Sequence, residues 1–320
     1  MVAPVGAASA AAEVGERRFR HVAERRGFLA TLLISPAVLF ILATLGIPFG
    51  WAIYLSLTDA TGGSLFGHWV GLHNFRSALG NATFRGAIWH TIVYTLISQA
   101  IVIVGAGLLA HALVRRFRGK WFLRFLILLP WAAPLALSTI GFLWFFDPSF
   151  SIFNWFLRHT WLPEHLHLIS KTNPTNWLGT PRDAAASIIA VEAWRIMPFA
   201  TVIFLAGIAS IPQEVDDAAA IDGATGLKKF WYVSLPLQLP IALVALLFGI
   251  IFTATDMTVP YLLTNGGPFN STQVLTTWAF QTGIGSGDVG EGAAISLFLL
   301  PVLAIVVIGM LLAARRVEVS

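Results

Sequence analysis

Cysteine is absent from this 320-residue chain. That excludes disulfides and thiolate metal sites and leaves no redox clue to compartment. Charge is nearly as scarce: Asp, Glu, Lys and Arg make up 11% of the residues, against 57% hydrophobic ones and a mean hydropathy of +0.76. A soluble domain of this length would have too little polar surface to face water, so the chain reads as an integral membrane protein. The net charge of +4 and pI near 9.8 suggest nucleic acid, but the positions of the basic residues point to membrane orientation instead. No Gly-x-x-x-x-Gly-Lys-[Ser/Thr] occurs, so the chain has no P-loop of its own. Nor does it carry a nucleophile–base constellation of the kind an enzyme needs.

What the chain has is long apolar runs. Six are recognisable: Gly27–Thr58, Gly86–Val114, Phe125–Phe146, Ala184–Ala209, Phe230–Thr255 and Gly292–Ala314. Each supplies about the 20 residues that a spanning helix requires. Their unbroken apolarity predicts helices, since barrel strands would alternate with period two. Internal prolines, among them Pro36, Pro48, Pro130 and Pro134, predict bent helices around a cavity. Residues 1–26 are Ala-rich and then basic (Arg17, Arg18, Arg20, Arg25, Arg26). A signal peptide is the rival reading. The following apolar run is too long for one, so a cytoplasmic tail is expected ahead of a permease domain over 27–316. The tail, Arg115–Arg124, Lys228, Lys229, Arg315 and Arg316 place 14 Lys and Arg on one side, and the opposite loops carry 5. This asymmetry puts both termini in the cytoplasm and the segments 59–85, 147–183 and 256–291 outside.

Between the fourth and fifth runs lies a polar island, residues 212–236. It reads as a helical hairpin: acids Glu214, Asp216 and Asp217 in the first turn after Pro212, a break at Gly223, then Leu227, Phe230 and Trp231 before Pro236. An ordinary connecting loop and a docking surface for a soluble partner are both open on these grounds. The hairpin resembles the EAA loop of binding-protein-dependent ABC importer permeases. In that pattern Glu-Ala-Ala, three residues, Gly, and nine more residues lead to Ile-x-Leu-Pro. Here Asp217-Ala218-Ala219, Gly223 and Val233-Ser234-Leu235-Pro236 keep the spacing, with Asp for Glu and Val for Ile. Residues 262–268 (Leu-Leu-Thr-Asn-Gly-Gly-Pro), 70–75 (Val-Gly-Leu-His-Asn-Phe) and 128–134 (Leu-Leu-Pro-Trp-Ala-Ala-Pro) resemble segments of the maltose-permease-like carbohydrate subunits.

The resemblance covers roughly residues 28–315. It implies an all-α, six-helix type I importer permease of MetI-like fold, N-in/C-in, in the inner (plasma) membrane of a prokaryote. Such a chain has no cofactor of its own. It works with a second related permease, two ATPase subunits that bind ATP and Mg, and an extracytoplasmic sugar-binding protein or lipoprotein. The hairpin residues Asp217, Ala218, Ala219, Gly223, Leu235 and Pro236 would couple to the ATPases.

Charged side chains at membrane depth cost about 2.5–3.5 kcal/mol on insertion scales, so they face a cavity or a partner. Glu192 and Arg195 lie three apart on the fourth run. A mutual salt bridge and the polar wall of a sugar path are both open, and Asp256 at the end of the fifth run reads as interfacial or as part of that wall. Trp194 and Phe199 suit either packing or stacking on a sugar ring. In the maltose-permease pattern, the segments matching Glu192–Phe199 and Gly249, Thr253 and Asp256 line the sugar site. Glu192, Arg195 and Asp256 replace neutral residues of that pattern, which points away from maltose itself. Arg195→Ala is expected to abolish uptake while leaving assembly intact. No metal site is expected: His90 and His111 lack ligand spacing, and His159, His165 and His167 near Trp161 read as an interfacial surface. Two alternatives stand: a glycerophosphodiester or glycerol-phosphate importer, with Arg195 pairing a phosphate, and a proton-coupled secondary transporter with Glu192 and Asp256 as relay.

Overall fold

The computed structural model describes residues 26–114, 117–159, 175–224 and 226–319, and no strand occurs among them. The N-terminal tail, Trp161, His165 and His167 lie outside the described residues. The chain divides into a unit ending at Tyr54 and a larger one from Leu55 onward. The first is α1 (Arg26–Ile41), a π-helical turn at Leu42–Gly46, and the start of α2 (Ile47–Ser56). Together Leu29–Ser56 gives 28 residues long and apolar enough to span. The π turn has a local cause: the Pro48 ring would crowd the carbonyl four residues earlier, and widening that turn relieves the clash.

In the larger unit, α3 (His73–Gly80) is fastened beneath the preceding turn, because Asn74 donates to the carbonyls of Ser56 at 3.0 Å and Thr58 at 2.8 Å. The spanning helix α4 (Ala82–Val114) starts where Asn81 accepts from the Thr83 N–H at 2.8 Å. Next come α5 (Lys120–Ala132) and α6 (Leu135–Phe146), which meet at 101°. The Phe125–Phe146 run therefore does not form one continuous helix. Ala133 precedes Pro134, is pushed to extended backbone (φ −73°, ψ 141°), and the helix breaks there. Short α7 (Ile152–His159) follows.

The central helix α8 (Pro181–Ala209) has Pro181 in its first turn and Thr180 as cap, accepting from the Asp183 N–H at 3.2 Å. The hairpin comprises α9 (Gln213–Ile221) and α10 (Gly226–Lys229). Its second arm does not stop at Pro236. A π turn at Phe230–Ser234 carries it directly into α11 (Leu235–Ala254), and that turn again precedes a proline. The chain closes with α12 (Thr258–Thr264), α13 (Leu275–Phe280), a third π turn at Gln281–Gly285, α14 (Val289–Leu297) and α15 (Leu299–Val319). Five helical stretches are apolar and long enough to cross a membrane, and six if the bent α5–α6 pair is one span.

The core sits where α8 lies against α4 and α11. Small residues make that approach possible: Ala106 and Ala110 of α4, Ala193 and Ala200 of α8 and Ala245 of α11 are buried together with Val102, Ile196 and Phe204. Without a hydrophobic force between helices in lipid, this close packing is what holds them.

Candidate functional site

Midway along α8 the packing changes from apolar to polar. Glu192 is 2% exposed, and Arg195, one turn on, puts its Nη2 2.6 Å from Glu192 Oε2. The same Nη2 lies 3.4 Å from the Phe252 carbonyl on α11. The two residues thus pair with each other in this conformation, which is how both charges are kept inside a span. From α4, Gln99 enters the same region. It is 1% exposed, and its Nε2 donates to Thr253 Oγ1 of α11 at 2.9 Å. Gly249, one turn before Thr253, is the reason Gln99 fits: a Cβ there would sit 1.9 Å from Gln99 Oε1. Asp256, two residues past the end of α11, closes the layer there. Its carboxylate accepts from the Val259 N–H at 2.9 Å, and its carbonyl accepts from Thr276 at 2.9 Å. Glu192, Thr253 and Asp256, with Thr91, Tyr94 and Thr95 of α4, line a cavity of about 10 Å³, room on the order of one water.

Beside this layer is an aromatic shelf. Phe199 stacks on Trp131 of α5 (centroids 4.9 Å, 22°) and meets Phe252 edge-on at 5.6 Å. Five of the sequence-derived candidates therefore come together: Glu192, Arg195, Gly249, Thr253 and Asp256. Phe199 stands on the shelf next to Phe252, whose carbonyl Arg195 reaches. Trp194 faces away, its ring edge-on to Phe142 of α6 at 5.0 Å. Gln99 and Trp131 were not among the candidates. The signal for Gln99 was present, because Thr91, Thr95 and Gln99 recur every four residues and mark one polar stripe on an otherwise apolar helix.

The fit of Gln99 to Gly249 predicts a compensating pair. Gly249→Ala overpacks the layer, at about 1–3 kcal/mol, and should lower the melting temperature of the purified protein. Gln99→Ala in the same chain should recover most of the loss. A double variant no more stable than Gly249→Ala would count against this packing.

At the other end, the hairpin geometry explains its glycine. Gly223 has φ +70°, its N–H donates to the Ala220 carbonyl at 3.1 Å, and the Ala224 N–H donates to the Ala219 carbonyl at 2.8 Å. This is a Schellman cap, with Ala219 and Ala224 buried at its two ends. Asp217, Ala218 and Ile221 are left exposed. Leu235 closes the π turn by donating to the Phe230 carbonyl, and Pro236 follows in the first turn of α11. The hairpin exit is tied to α4. His111 Nδ1 is 2.8 Å from the Gly107 carbonyl, which leaves Nε2 to accept from buried Gln238 at 3.4 Å, while Phe230 packs edge-on against the imidazole at 5.0 Å. His159 stacks on Trp155 at 4.6 Å, and no cluster of metal-ligating side chains occurs among the described residues.

An all-helical, multi-span chain with a polar layer between its central helices is of the transport-component class. Residues 103–319 match the family model described as the binding-protein-dependent transport system inner membrane component. The chain belongs to that family, a membrane component of transport systems and not an enzyme family. It is 31% identical over 273 residues to the trehalose/maltose transport system permease protein MalF of Thermococcus litoralis, covering 85% of this chain and 89% of that one. It is 30% identical to the sulfoquinovosyl glycerol transport system permease protein SmoG of Agrobacterium fabrum, covering 84% of each. It is 27% identical to the sn-glycerol-3-phosphate transport system permease protein UgpA of Rhizobium meliloti, covering 86% and 90%. Among solved structures, a bacterial ABC transporter involved in import of the acidic polysaccharide alginate shares the fold. The TM-score is 0.75 at 20% identity, covering 93% of this chain and 99% of that one.

Proposed function

We propose that this chain is the sugar-conducting permease subunit of an ATP-driven importer, and that the Glu192–Arg195–Gln99–Thr253 layer is where the sugar passes. The observation that carries this reading is the layer itself. Charged and amide groups on facing helices, beside an aromatic shelf at Phe199 and Trp131, combine hydroxyl-binding groups with a stacking face. Relatives named for trehalose/maltose and sulfoquinovosyl glycerol support it. Residues 1–26 form a cytoplasmic tail and 27–316 the permease domain, with the hairpin over 212–236 facing two ATPase subunits that bind ATP and Mg. A second, related permease completes the pore, and an extracytoplasmic binding protein delivers substrate. ATPase closure pulls the hairpin, and the Phe230–His111–Gln238 contact passes that movement to α4 and α11. The cavity at Glu192, Thr253 and Asp256, about 10 Å³ here, then opens and shuts in alternation.

A second reading, glycerol-phosphate import, is favoured by the UgpA relatives and by Arg195, whose guanidinium suits phosphate. Uptake by the assembled transporter, assayed against neutral disaccharides, glycerophosphodiesters and glycerol 3-phosphate, separates the two. A neutral or glycosidic substrate is the expected result. Uptake of glycerol 3-phosphate alone would overturn the sugar reading, and uptake without any ATPase subunit would overturn the importer reading.

A further inference from the structure

The Asn-Gly-Gly-Pro loop between α12 and α13 is locked at its base and bare at its tip. At the base, Thr272 and Gln273 are fully buried. Thr272 Oγ1 lies 2.8 Å from Thr264 Oγ1 and donates to the Gly267 carbonyl at 2.7 Å. Gln273 Nε2 donates to Gln281 Oε1 at 2.6 Å, and Gln281 Nε2 donates to the carbonyl and the Oδ1 of Asn265 at 3.1 and 2.9 Å. Gly266 makes room for this base: at its φ of +82°, a Cβ would sit 2.1 Å from Gln273 Nε2. A connected network of amides and hydroxyls leaves the loop little freedom to move.

The tip is Phe269-Asn270. Both residues hold left-handed backbone, φ +55° and +60°, which an aromatic residue seldom adopts. Phe269 is 95% exposed, more than any other large apolar side chain among the described residues. A lone exposed apolar residue is ordinary. One fixed in a strained conformation on a locked base is not, because such strain persists only where the surroundings impose it and it collects at binding sites. The ring is held in place before anything meets it, so little loop freedom is left to lose on contact.

Two further observations narrow what meets it. Residues 257–287 contain no Asp, Glu, Lys, Arg or His, so the chain around Phe269 is neutral and rich in amides and hydroxyls. The main-chain N–H groups of Phe269 and Asn270 donate to no main-chain carbonyl among the described residues. In hydrocarbon two such groups would be costly, whereas a protein surface can supply acceptors for them. The occupant that fits is therefore a protein with an apolar pocket rimmed by carbonyls, and not a lipid tail. The Lys and Arg asymmetry places this loop outside.

We propose that Phe269 anchors the extracytoplasmic binding protein on this chain, its ring seated in an apolar pocket of that protein and the Phe269 and Asn270 N–H groups donating to the pocket rim. The proposal rests on the importer reading above and adds a residue and a contact chemistry to it. One aromatic, in the manner of an interface hot spot, carries the docking at this loop, and ion pairs do not.

The test is uptake by the reconstituted complex, titrated with the purified binding protein that supports its transport. Phe269→Ala should raise the half-saturating concentration of binding protein about tenfold or more, with uptake at saturation within about twofold of wild type. Phe269→Asn should do the same, although Asn suits left-handed backbone, because the ring makes the contact; Phe269→Tyr should stay near wild type. The ratio of Phe269→Ala to wild type should differ by less than about twofold between low and high salt. No variant should melt below wild type, since the ring is solvated in this chain. A second measurement uses the absence of cysteine: Asn270→Cys, assembled with cysteine-free partner subunits, takes a single nitroxide label. In the resting transporter a water-soluble nickel complex should reach the label, and saturating binding protein should immobilise it. Half-saturation within about twofold of wild type in both Phe269→Ala and Phe269→Asn would overturn the proposal while the importer reading stands. So would a resting label shielded from nickel: reached by lipid-dissolved oxygen instead, it would assign the tip to the membrane, and already immobilised, to the second permease. Uptake that needs no binding protein would overturn the importer reading and the proposal with it.

Discussion

Gly223→Val should uncouple ATP hydrolysis from uptake, cutting transport at least tenfold while the spanning helices stay folded. The physical reason is backbone conformation. Nothing lies within 4 Å of a Cβ placed at Gly223, so added volume costs nothing inside this chain. What a side chain disturbs is the φ of +70°, a left-handed conformation that costs an ordinary L-residue about 1–2 kcal/mol and a β-branched one more. The strain falls on the two hydrogen bonds to Ala219 and Ala220 that fold α9 back on itself. Because α9 is a short, exposed element, it yields before α8 or α11 does. Asn tolerates this region, so Gly223→Asn should retain most transport, and Gly223→Asp should fall between Asn and Val. The measurement is ATPase activity and uptake of the reconstituted complex, read together. If Gly223→Asp fails as completely as Gly223→Val while Gly223→Asn works, the added charge at the ATPase surface dominates. Wild-type coupling in both Gly223→Asp and Gly223→Val would sink the assignment of the hairpin as coupling element.

The spacing from Asp217 to Pro236 located this element in the sequence, and so did the six apolar runs, because burial in lipid leaves a compositional mark on every residue of a span. Five of the runs lie along single long helices or near-continuous stretches, with ends shifted by only a few residues: α1–α2, α4, α8, α11 with its leading π turn, and α14–α15. In the run Phe125–Phe146, Pro134 announced a bend, but not that it would be a 101° break. Hydropathy averages over a window and is blind to one residue's ψ, and only Ala133-Pro134 carried the information. The π turns were hidden for the same reason. For the site, charge singled out Glu192 and Arg195, because two ionised groups in a span stand out against their neighbours. Gln99 was less visible: one amide costs far less than a charge, and its role depends on Gly249 across the interface, a pairing that a single sequence does not spell out. The orientation of Trp194 toward Phe142 was likewise set by where α6 packs after its break.

Arg195→Ala should remove uptake and also destabilise the protein. This differs from the sequence-based expectation that assembly would survive untouched. The difference comes from the burial of Glu192, which at 2% exposure has Arg195 Nη2 as its ion partner at 2.6 Å. Truncating one member of a buried pair leaves the other charge uncompensated, at about 3–5 kcal/mol. Lost transport in Arg195→Ala alone would therefore not distinguish a binding role from a packing role. The variant Glu192→Gln/Arg195→Gln separates them. Two neutral amides of similar length can hydrogen-bond each other without a charge to solvate, so thermal stability should return to near the wild-type value. Uptake should not return, because the layer no longer offers a carboxylate and a guanidinium to a hydroxyl pair. Melting temperature in detergent and uptake in proteoliposomes then move in opposite directions between the single and double variants. If both recover together, the pair serves only to hold α8 in place, and the sugar path must run along the Phe199–Trp131 shelf instead.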